Sequence, residues 1–485
     1  MIRISVAKGD GIGLEITNVV LSILKAAKAE LEFDFIDIGE ALYLGGISSG
    51  IDDKAWASIK QNKILLKGPI TTPLGKGYKS LNVTFRKTLG LYANVRPVMS
   101  YSPFIQGPKM DMVIVRENEE DLYAGIEYMP TSDTYLSFKL ISRMGCEKII
   151  RYAFEYAKRN QRRKVTCLTK NNIMKITDGA FANIFFEIAQ EYSELETNHM
   201  VVDIGSARIA SRPSSFDVVV TLNLYGDIIS DIAAEISGAL GLAGSANIGT
   251  KYAMFEAVHG SAPDIAGQNK ANPSGMLNAS ILMLKHLGMN QQAALIQNAW
   301  LTTIESGMHT ADIFREGHSK KLVSTSGFGT EVIGNLGKSP QQLIGIANQG
   351  GRTEHGANSD KSHGNAKNQS WAKANSTNEQ GLLLGCDLYV ETHLSPAAVA
   401  EIAHDITSNM NCELKGIAQR GLMVWPRCES EVTDASLSQL RFHSTNKGEL
   451  LTLQGELEKH ELRVVMLNYL YDYSGIVGFS KMQGE

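Results

Sequence analysis

The chain has 485 residues, of which 43% are hydrophobic and 20% charged, and its formal net charge is −4. That length exceeds what one hydrophobic core usually serves, so two or three domains are expected. Lys and Arg form no long blocks and no stretch of about 20 apolar residues occurs, which argues against nucleic acid and against a membrane span. The cysteines Cys146, Cys167, Cys386, Cys412 and Cys428 show no CxxC spacing and are odd in number. They read as reduced thiols in a cytoplasmic compartment. No charged segment with an apolar stretch behind it opens the chain, so no secretory signal is expected.

From residue 1 to about 337, short apolar runs alternate with helical patterns. RISVA, FDFIDIG, KILLKG, DMVIVRE, KVTCLTK, MVVDIG, FDVVVTLNL and AMFEAVHG read as strands. EITNVVLSILKAAK, EKIIRYAFEYAKR, DGAFANIFFEIAQEY, DIISDIAAEISGAL and PSGMLNASILMLKHLG read as helices. The alternation predicts an α/β sheet with helices on its faces. Residues 338–381 are rich in Asn, Gly, Ser, Lys and His with almost nothing to bury, and read as a flexible linker. LLLGCDLYVETH resumes regular structure, and Ser395-Pro396 opens a helix with a cap and a first-turn proline. The order β-α-β-β-α-β over 382–485 predicts an α+β domain, ferredoxin-like or ACT-like.

Three short signals carry little. GDGIG at 9–13 lacks the spacing of the GxGxxG fingerprint and reads as a glycine turn. GKGYKS at 75–80 has Gly after Lys76, which excludes a Walker A loop. No HExxH pairing supports a zinc hydrolase.

NLYGDIISD, 223–231, says more. With Asp227 at a helix start, Asp231 falls on the same face, while Ile229, Ile232 and Ile236 are expected to enter the core. A capping acid and a solvated one would suit this spacing, because acids in a first turn complement the helix dipole. Yet like charges at i,i+4 repel by about 0.2–0.5 kcal/mol. A divalent cation such as Mg2+ or Mn2+ reverses that sign, and open α/β sheets place ligands at the carboxyl ends of strands. Arg86 and Arg96 in SLNVTFRKTLGLYANVRP and Arg116 in VIVRENEEDLYAG suit a substrate with several carboxylates. Ser80 and Asn82 add a hydroxyl and an amide near the first arginine.

GDGIG, KGPITTP, SLNVTFR, YANVRP, VRENEEDLYAGIE, TKNNI, NLYGDIISD and HGSAPDIAG occur in that order. Together they resemble the metal-dependent β-decarboxylating dehydrogenases, the isocitrate/isopropylmalate dehydrogenase family, and most closely its isocitrate branch. The linker and terminal domain resemble the C-terminal extension of some bacterial members. The resemblance implies large and small α/β domains around a cleft: 1–91 with 238–337, and 92–124 with 144–237. It further implies a clasp hairpin at 125–143 and a homodimer. Asp227 and Asp231 would hold the metal, with Asp203 contributed by a second copy. Arg86, Arg96, Arg116, Ser80, Asn82 and Asn172 would bind substrate. Lys170, given to the neighbouring site, would move the hydroxyl proton, and Tyr123 would protonate the product. Relatives acting on isopropylmalate carry apolar residues at the positions of Ser80 and Asn82, which favours isocitrate here.

HGSAPDIAGQNKANP resembles the family's adenosine loop, so Thr71, Thr72, His259, Gly260, Asp264, Ile265 and Asn272 would contact the cofactor. Asp264 and Ile265 replace the Lys and Tyr frequent in NADP-dependent relatives. A carboxylate would accept ribose hydroxyls and repel a 2′-phosphate, so NAD is expected, with NADP the alternative. Arg315 matches a phosphate-binding arginine, but Ala311 replaces its accompanying tyrosine, and Arg315 is discounted. Leu14 stands where many relatives have Pro, with no functional change expected. The expected reaction is the tricarboxylic acid cycle's conversion of isocitrate to 2-oxoglutarate and CO2. Alternatives are isopropylmalate or homoisocitrate oxidation, or a non-catalytic regulatory subunit.

Overall fold

In the computed structural model, which describes residues 1–47, 49–71, 80–131, 134–238, 240–345, 381–426 and 436–482, ten strands form one mixed sheet. Their order is Leu31–Ile36, Ile2–Ala7, Ile64–Lys67, Ala253–Ala257, Gly244–Ile248, Ala93–Met99, Asp111–Glu117, Val218–Thr221, Lys164–Thr169 and Glu196–Val201. Gly244–Ile248 and Ala93–Met99 pair antiparallel with each other and with their outer neighbours; the other pairings are parallel. Ile64–Lys67 and Val218–Thr221 are buried at every position, as in sheets covered on both faces. Helix Arg143–Arg159 buries Ile149, Ile150, Ala153, Phe154 and Ala157, and Phe154 stacks on Phe185 and Tyr192. This 3,4-spaced apolar stripe is what the sequence pattern predicts.

The expected α/β sheet is present, and four local expectations change. The two antiparallel central strands are absent from the predicted strands. Ala93–Met99 includes Asn94, Arg96 and Pro97, and Gly244–Ile248 includes Gly, Ser and Asn, so neither reads as an apolar run. MVVDIG is not one strand. The strand ends at Val201 and helix Val202–Ser211 follows, putting Asp203 in a first helical turn. Helix Asn223–Ser237 begins four residues before Asp227, so Asp227 is not at its start. Its buried side carries Gly226, Asp227, Ile229, Ser230, Ala233 and Ala234, whereas Ile232 and Ile236 are only half-buried. Small residues let this helix lie close to the sheet: a Cβ on Gly226 would come 2.5 Å from Arg116 Cγ.

The chain splits into two compact units. The first holds the described residues of Met1–Arg86, Leu91–Asn118 and Ile141–His363; the second holds those of Lys87–Gly90, Glu119–Leu140 and Gly364–Glu485. The second unit is a six-stranded antiparallel sheet ordered Leu422–Trp425, Glu413–Gln419, Leu437–His443, Leu382–Glu391, Arg463–Tyr473 and Ile476–Val477. Its middle four strands have the 2-3-1-4 order of a ferredoxin-like domain, as expected, and the two edge strands are additions. Helices Pro396–Thr407 and Lys447–Lys459 bury Val399, Ala403, Leu450, Leu453 and Leu457 in a core shared with Leu388, Leu440 and Phe442. Ser395 and Asn446 cap them through Ala398, Gly448 and Glu449 N–H groups. The hairpin Glu127–Thr131 with Thr134–Ser137 lies where the clasp is expected in sequence and belongs to this unit. Tyr128 donates to Asp387 at 3.0 Å, and Arg441 holds the same buried carboxylate at 2.7 and 2.9 Å. The cysteines Cys146, Cys167, Cys386 and Cys412 are buried and form no disulfide; Cys428 lies outside the described residues. Among the described residues no helix is long and apolar enough to cross a membrane.

Candidate active site

Arg116, Asn223 and Lys170 lie at or just beyond the carboxyl ends of three adjacent parallel strands. Arg116 is buried and spreads its guanidinium over the first turn of helix Asn223–Ser237. Nε donates to Asn223 O at 2.9 Å, one Nη to Asn223 Oδ1 at 2.7 Å, and the other to Asp227 Oδ1 at 2.6 Å. Arg96 lies 3.5 Å from both Asp227 and Asp231 and donates to Ser230 Oγ at 2.7 Å. The aspartates, four residues apart, thus share a helix face with two guanidiniums, not a capping position. The Asp231 side chain keeps 30% of its surface exposed and Asp227 12%. Each carboxylate offers two hard oxygens, which fits a Mg2+ or Mn2+ ion. Among the described residues no three His, Cys, Asp or Glu side chains gather in a metal-holding group.

The third arginine joins through a buried network that sequence reading missed. Arg96 Nε donates to Asn94 Oδ1 at 2.6 Å, Asn94 to Asn247 Oδ1 at 2.7 Å, and Asn247 to Glu256 Oε1 at 2.9 Å. Arg86 reaches that oxygen at 3.3 Å, and Lys67 Nζ holds the other at 2.8 Å. Arg86, Arg96 and Arg116 are therefore strung on one hydrogen-bonded chain. Glu256 is one charged residue within the apolar run AMFEAVHG, and Asn94 lies opposite Asn247 and Arg116 in register. Those polar interruptions in apolar strands were the available signal. On helix Leu81–Thr88, Asn82 and Arg86 share a face, with Ser80 just before it. Arg86 Nε and Asn82 Oδ1 are buried with no hydrogen-bond partner among the described residues. Such orphans are costly unless a ligand meets them.

Burial alone would raise the Glu256 pKa, but Lys67 and Arg86 outweigh it and hold the carboxyl at about 2. A depressed pKa contributes stability above the unfolded value, lost as pH falls through the folded one. Glu256→Gln is expected to lower unfolding free energy at pH 7 by about 3 kcal/mol, and the deficit roughly halves by about pH 3. Chemical denaturation of both proteins across that range checks this; a pH-independent deficit contradicts it.

Lys170 and Asp203 are brought together: Nζ donates to Oδ1 at 2.7 Å. That hydrogen bond and the ammonium charge hold the exposed Asp203 carboxyl below its usual range. Buried Asp178 accepts the Lys170 backbone N–H at 2.6 Å and so fixes the strand end. Asn172 is exposed in the turn that follows. Tyr123 is half-buried in the 3-10 turn Leu122–Ala124 of the second unit.

A cleft of about 1050 Å³ in the first unit is lined by His259, Gly260, Asp264, Ile265 and Asn272, all five expected there, and also by Lys270, Asp312 and Arg315. Of GDGIG, Ile12 lines this cleft. Gly9 and Gly11 have φ of +71° and +55°, and a Cβ on them would come 2.1 Å from Pro69 O and 2.0 Å from Ser261 O. Asp10 between them accepts N–H groups from Glu40 at 3.1 Å and Thr71 at 2.8 Å, a positioning role the glycine-turn reading missed. The Thr71 and Ser261 hydroxyls share a 2.6 Å bond. Thr72 lies outside the described residues. Burial lowers the His259 pKa; Nδ1 lies 3.0 Å from Gly260 O, and Nε2 is buried without a partner among the described residues. A neutral ring donating through Nδ1 leaves Nε2 as an open acceptor. The open acceptor suits a ligand hydroxyl or amide donor, and the cleft's Lys270 and Arg315 suit a phosphate group.

Residues 3–332 match the model of the isocitrate/isopropylmalate dehydrogenases. The chain belongs to that family. Residues 382–485 match the bacterial isocitrate dehydrogenase C-terminal domain. A Rickettsia bellii relative named isocitrate dehydrogenase [NADP] is 50% identical over 495 aligned residues, covering 99% of each chain. A Saccharomyces cerevisiae relative named isocitrate dehydrogenase [NAD] subunit 2, mitochondrial, is 44% identical but covers 69% of this chain and 90% of its own. A crystal structure from Thermus thermophilus matches with a TM-score of 0.69 at 38% identity, covering 100% of this chain and 96% of that one. The full-length likeness thus runs to a relative named for NADP, and the expectation of NAD drawn from Asp264 is not confirmed. Two cations line the same cleft, one of them the discounted Arg315.

Proposed function

We propose that the chain converts isocitrate to 2-oxoglutarate and CO2, with NADP as hydride acceptor and Mg2+ or Mn2+ at Asp227 and Asp231. The observation that carries the substrate is the single buried network joining three arginines, beside the orphaned polar atoms of Arg86 and Asn82. A carboxylate accepts from Arg86 Nε–H and from the Asn82 amide N–H, and a substrate hydroxyl donates to Asn82 Oδ1; an isopropyl group would leave these unpaired at about 1–3 kcal/mol each. Arg96 and Arg116 hold carboxylate oxygens, already oriented by Asn94, Asn223 and Ser230. A bound divalent cation supplies Lewis-acid polarisation of a substrate oxygen. Lys170 takes the hydroxyl proton, and Asp203 keeps its ammonium placed. Tyr123 returns a proton to the product carbon.

The same reading makes the enzyme a homodimer with shared sites, Lys170 and Asp203 serving the second copy. Its support is the apolar surface beside that pair: Ile173, Ile176 and Ile204 are 69%, 87% and 50% exposed. Such exposure suits burial against a partner. NADPH formation from isocitrate with Mn2+, against isopropylmalate and homoisocitrate, tests the substrate. No turnover of any of them favours the regulatory-subunit alternative.

Arg315 and Lys270 support NADP, since two cations offset Asp264 beside a 2′-phosphate. Arg315→Ala is expected to lower kcat/KM for NADP by about 10- to 100-fold and leave NAD within a few-fold. Equal losses with both cofactors, or an unsubstituted enzyme that prefers NAD, would overturn the NADP reading.

A further inference from the structure

Glu119, Glu120 and Asp121 are three consecutive acids, all buried, at 3%, 2% and 0% exposure. Carboxylates removed from water need cationic partners. Two of them find one in the C-terminal domain. Arg420, with φ +50°, lies in the turn between strands Glu413–Gln419 and Leu422–Trp425. Its guanidinium lies 3.1 Å from Glu120 Oε1 and 3.5 Å from Glu119 Oε2. Lys139 holds Asp121 at 2.5 Å. Backbone contacts add to these ion pairs. Lys87 Nζ donates to Arg420 O at 3.0 Å and to Ala124 O at 3.2 Å, bridging the two turns. Gly421, with φ +76°, approaches so closely that a Cβ would come 2.1 Å from Ala124 O. All these contacts bear on Glu119–Ala124, the segment that contains Tyr123.

We infer that the Arg420–Gly421 turn of the C-terminal domain sets the position of the Tyr123 segment, with Arg420 a positioning residue for the reaction. The inference rests on the reading of Tyr123 as proton donor. It gives the terminal domain a part in turnover. Buried charges in one ion-pair cluster have few alternative arrangements, so removing the guanidinium lets the segment relax. A displacement of about 1 Å in a reacting group costs about 100-fold in rate.

The test compares full-length Arg420→Met, Arg420→Lys, Tyr123→Phe and the Tyr123→Phe/Arg420→Met double variant, with isocitrate, NADP and Mn2+. Folding is checked by unfolding midpoint. Arg420→Met is expected to lower kcat by about 100-fold with KM for isocitrate within about 3-fold, because carboxylate binding is untouched. Arg420→Lys restores kcat to within about 10-fold of the parent, since a point charge still serves the cluster. The double variant matches Tyr123→Phe within about 2-fold, as for residues acting as one unit. If Arg420→Met does not fold, Glu120→Gln removes the pair from its other end and carries the same expectations. An Arg420→Met kcat within about 2-fold of the parent, or losses that multiply in the double variant, overturns the inference alone. A Tyr123→Phe protein with full kcat overturns the reading of Tyr123, and the inference with it.

Discussion

Lys170→Met is expected to lower kcat by about 10²- to 10⁴-fold, the usual contribution of a positioned general base, while leaving stability within about 0.5 kcal/mol. The two halves of that expectation come from different contacts. The local backbone is fixed by buried Asp178 accepting the Lys170 N–H, which the substitution keeps. The side chain instead makes an exposed contact with Asp203. Exposed pairs of this kind contribute little to folding. The loss therefore falls on chemistry. The variant also removes the largest cause that holds the Asp203 carboxyl low, leaving its backbone hydrogen bond, so its titration should move part of the way toward the ordinary range, visible by carboxyl-detected NMR. Steady-state rates and thermal melts check the main claim. A kcat within about 3-fold of the parent would return Lys170 to the status of a surface lysine at a strand end.

Asp227 gives the second large effect, and here fold and turnover must be separated. Asp227→Ala leaves Arg116 buried against an empty position, and removing one member of a buried pair costs about 3–5 kcal/mol. Asp227→Asn retains an oxygen where Arg116 donates, so most of the fold stability survives. Both variants lose a hard anionic ligand. At several kcal/mol of charge stabilisation, and about 1.4 kcal/mol per tenfold, the expected loss in kcat/KM is about 10³-fold. If Asp227 were simply a helix cap, Asp227→Asn would be nearly neutral in both respects. Its place in the second turn already disfavours that account. Calorimetric titration with Mn2+ separates lost metal affinity from a lost later step.

The parts of the fold legible in the sequence were those with one dominant period. Parallel strands such as Val218–Thr221 and helices such as Arg143–Arg159 write themselves as apolar runs or stripes. The ferredoxin-like order of the terminal domain followed from element succession alone. Ala93–Met99 and Gly244–Ile248 hid because their polar residues face a buried network. The site was half legible. Arg86, Arg96, Arg116, Asp227, Asp231 and Lys170 stood out because charges at strand ends and on helix faces are conspicuous. Asn94, Asn247, Glu256 and Asp10 did not, because their work is to hold other groups, and only three-dimensional proximity reveals it. The expectation of NAD rested on a comparison of local charge. Asp264 was weighed without Lys270 and with Arg315 discounted, and both line the same cleft.

Mixing inactive Lys170→Met and Asp227→Asn dimers under conditions that exchange subunits tests the shared-site claim most directly. In a mixed dimer one site combines an intact Asp227 from one chain with an intact Lys170 from the other. With random exchange half the dimers are mixed and each has one working site, so activity should rise to about a quarter of the unsubstituted enzyme's. If mass measurement shows mixed dimers and activity stays at the level of the parents, Lys170 and Asp227 serve the same chain and the account is wrong.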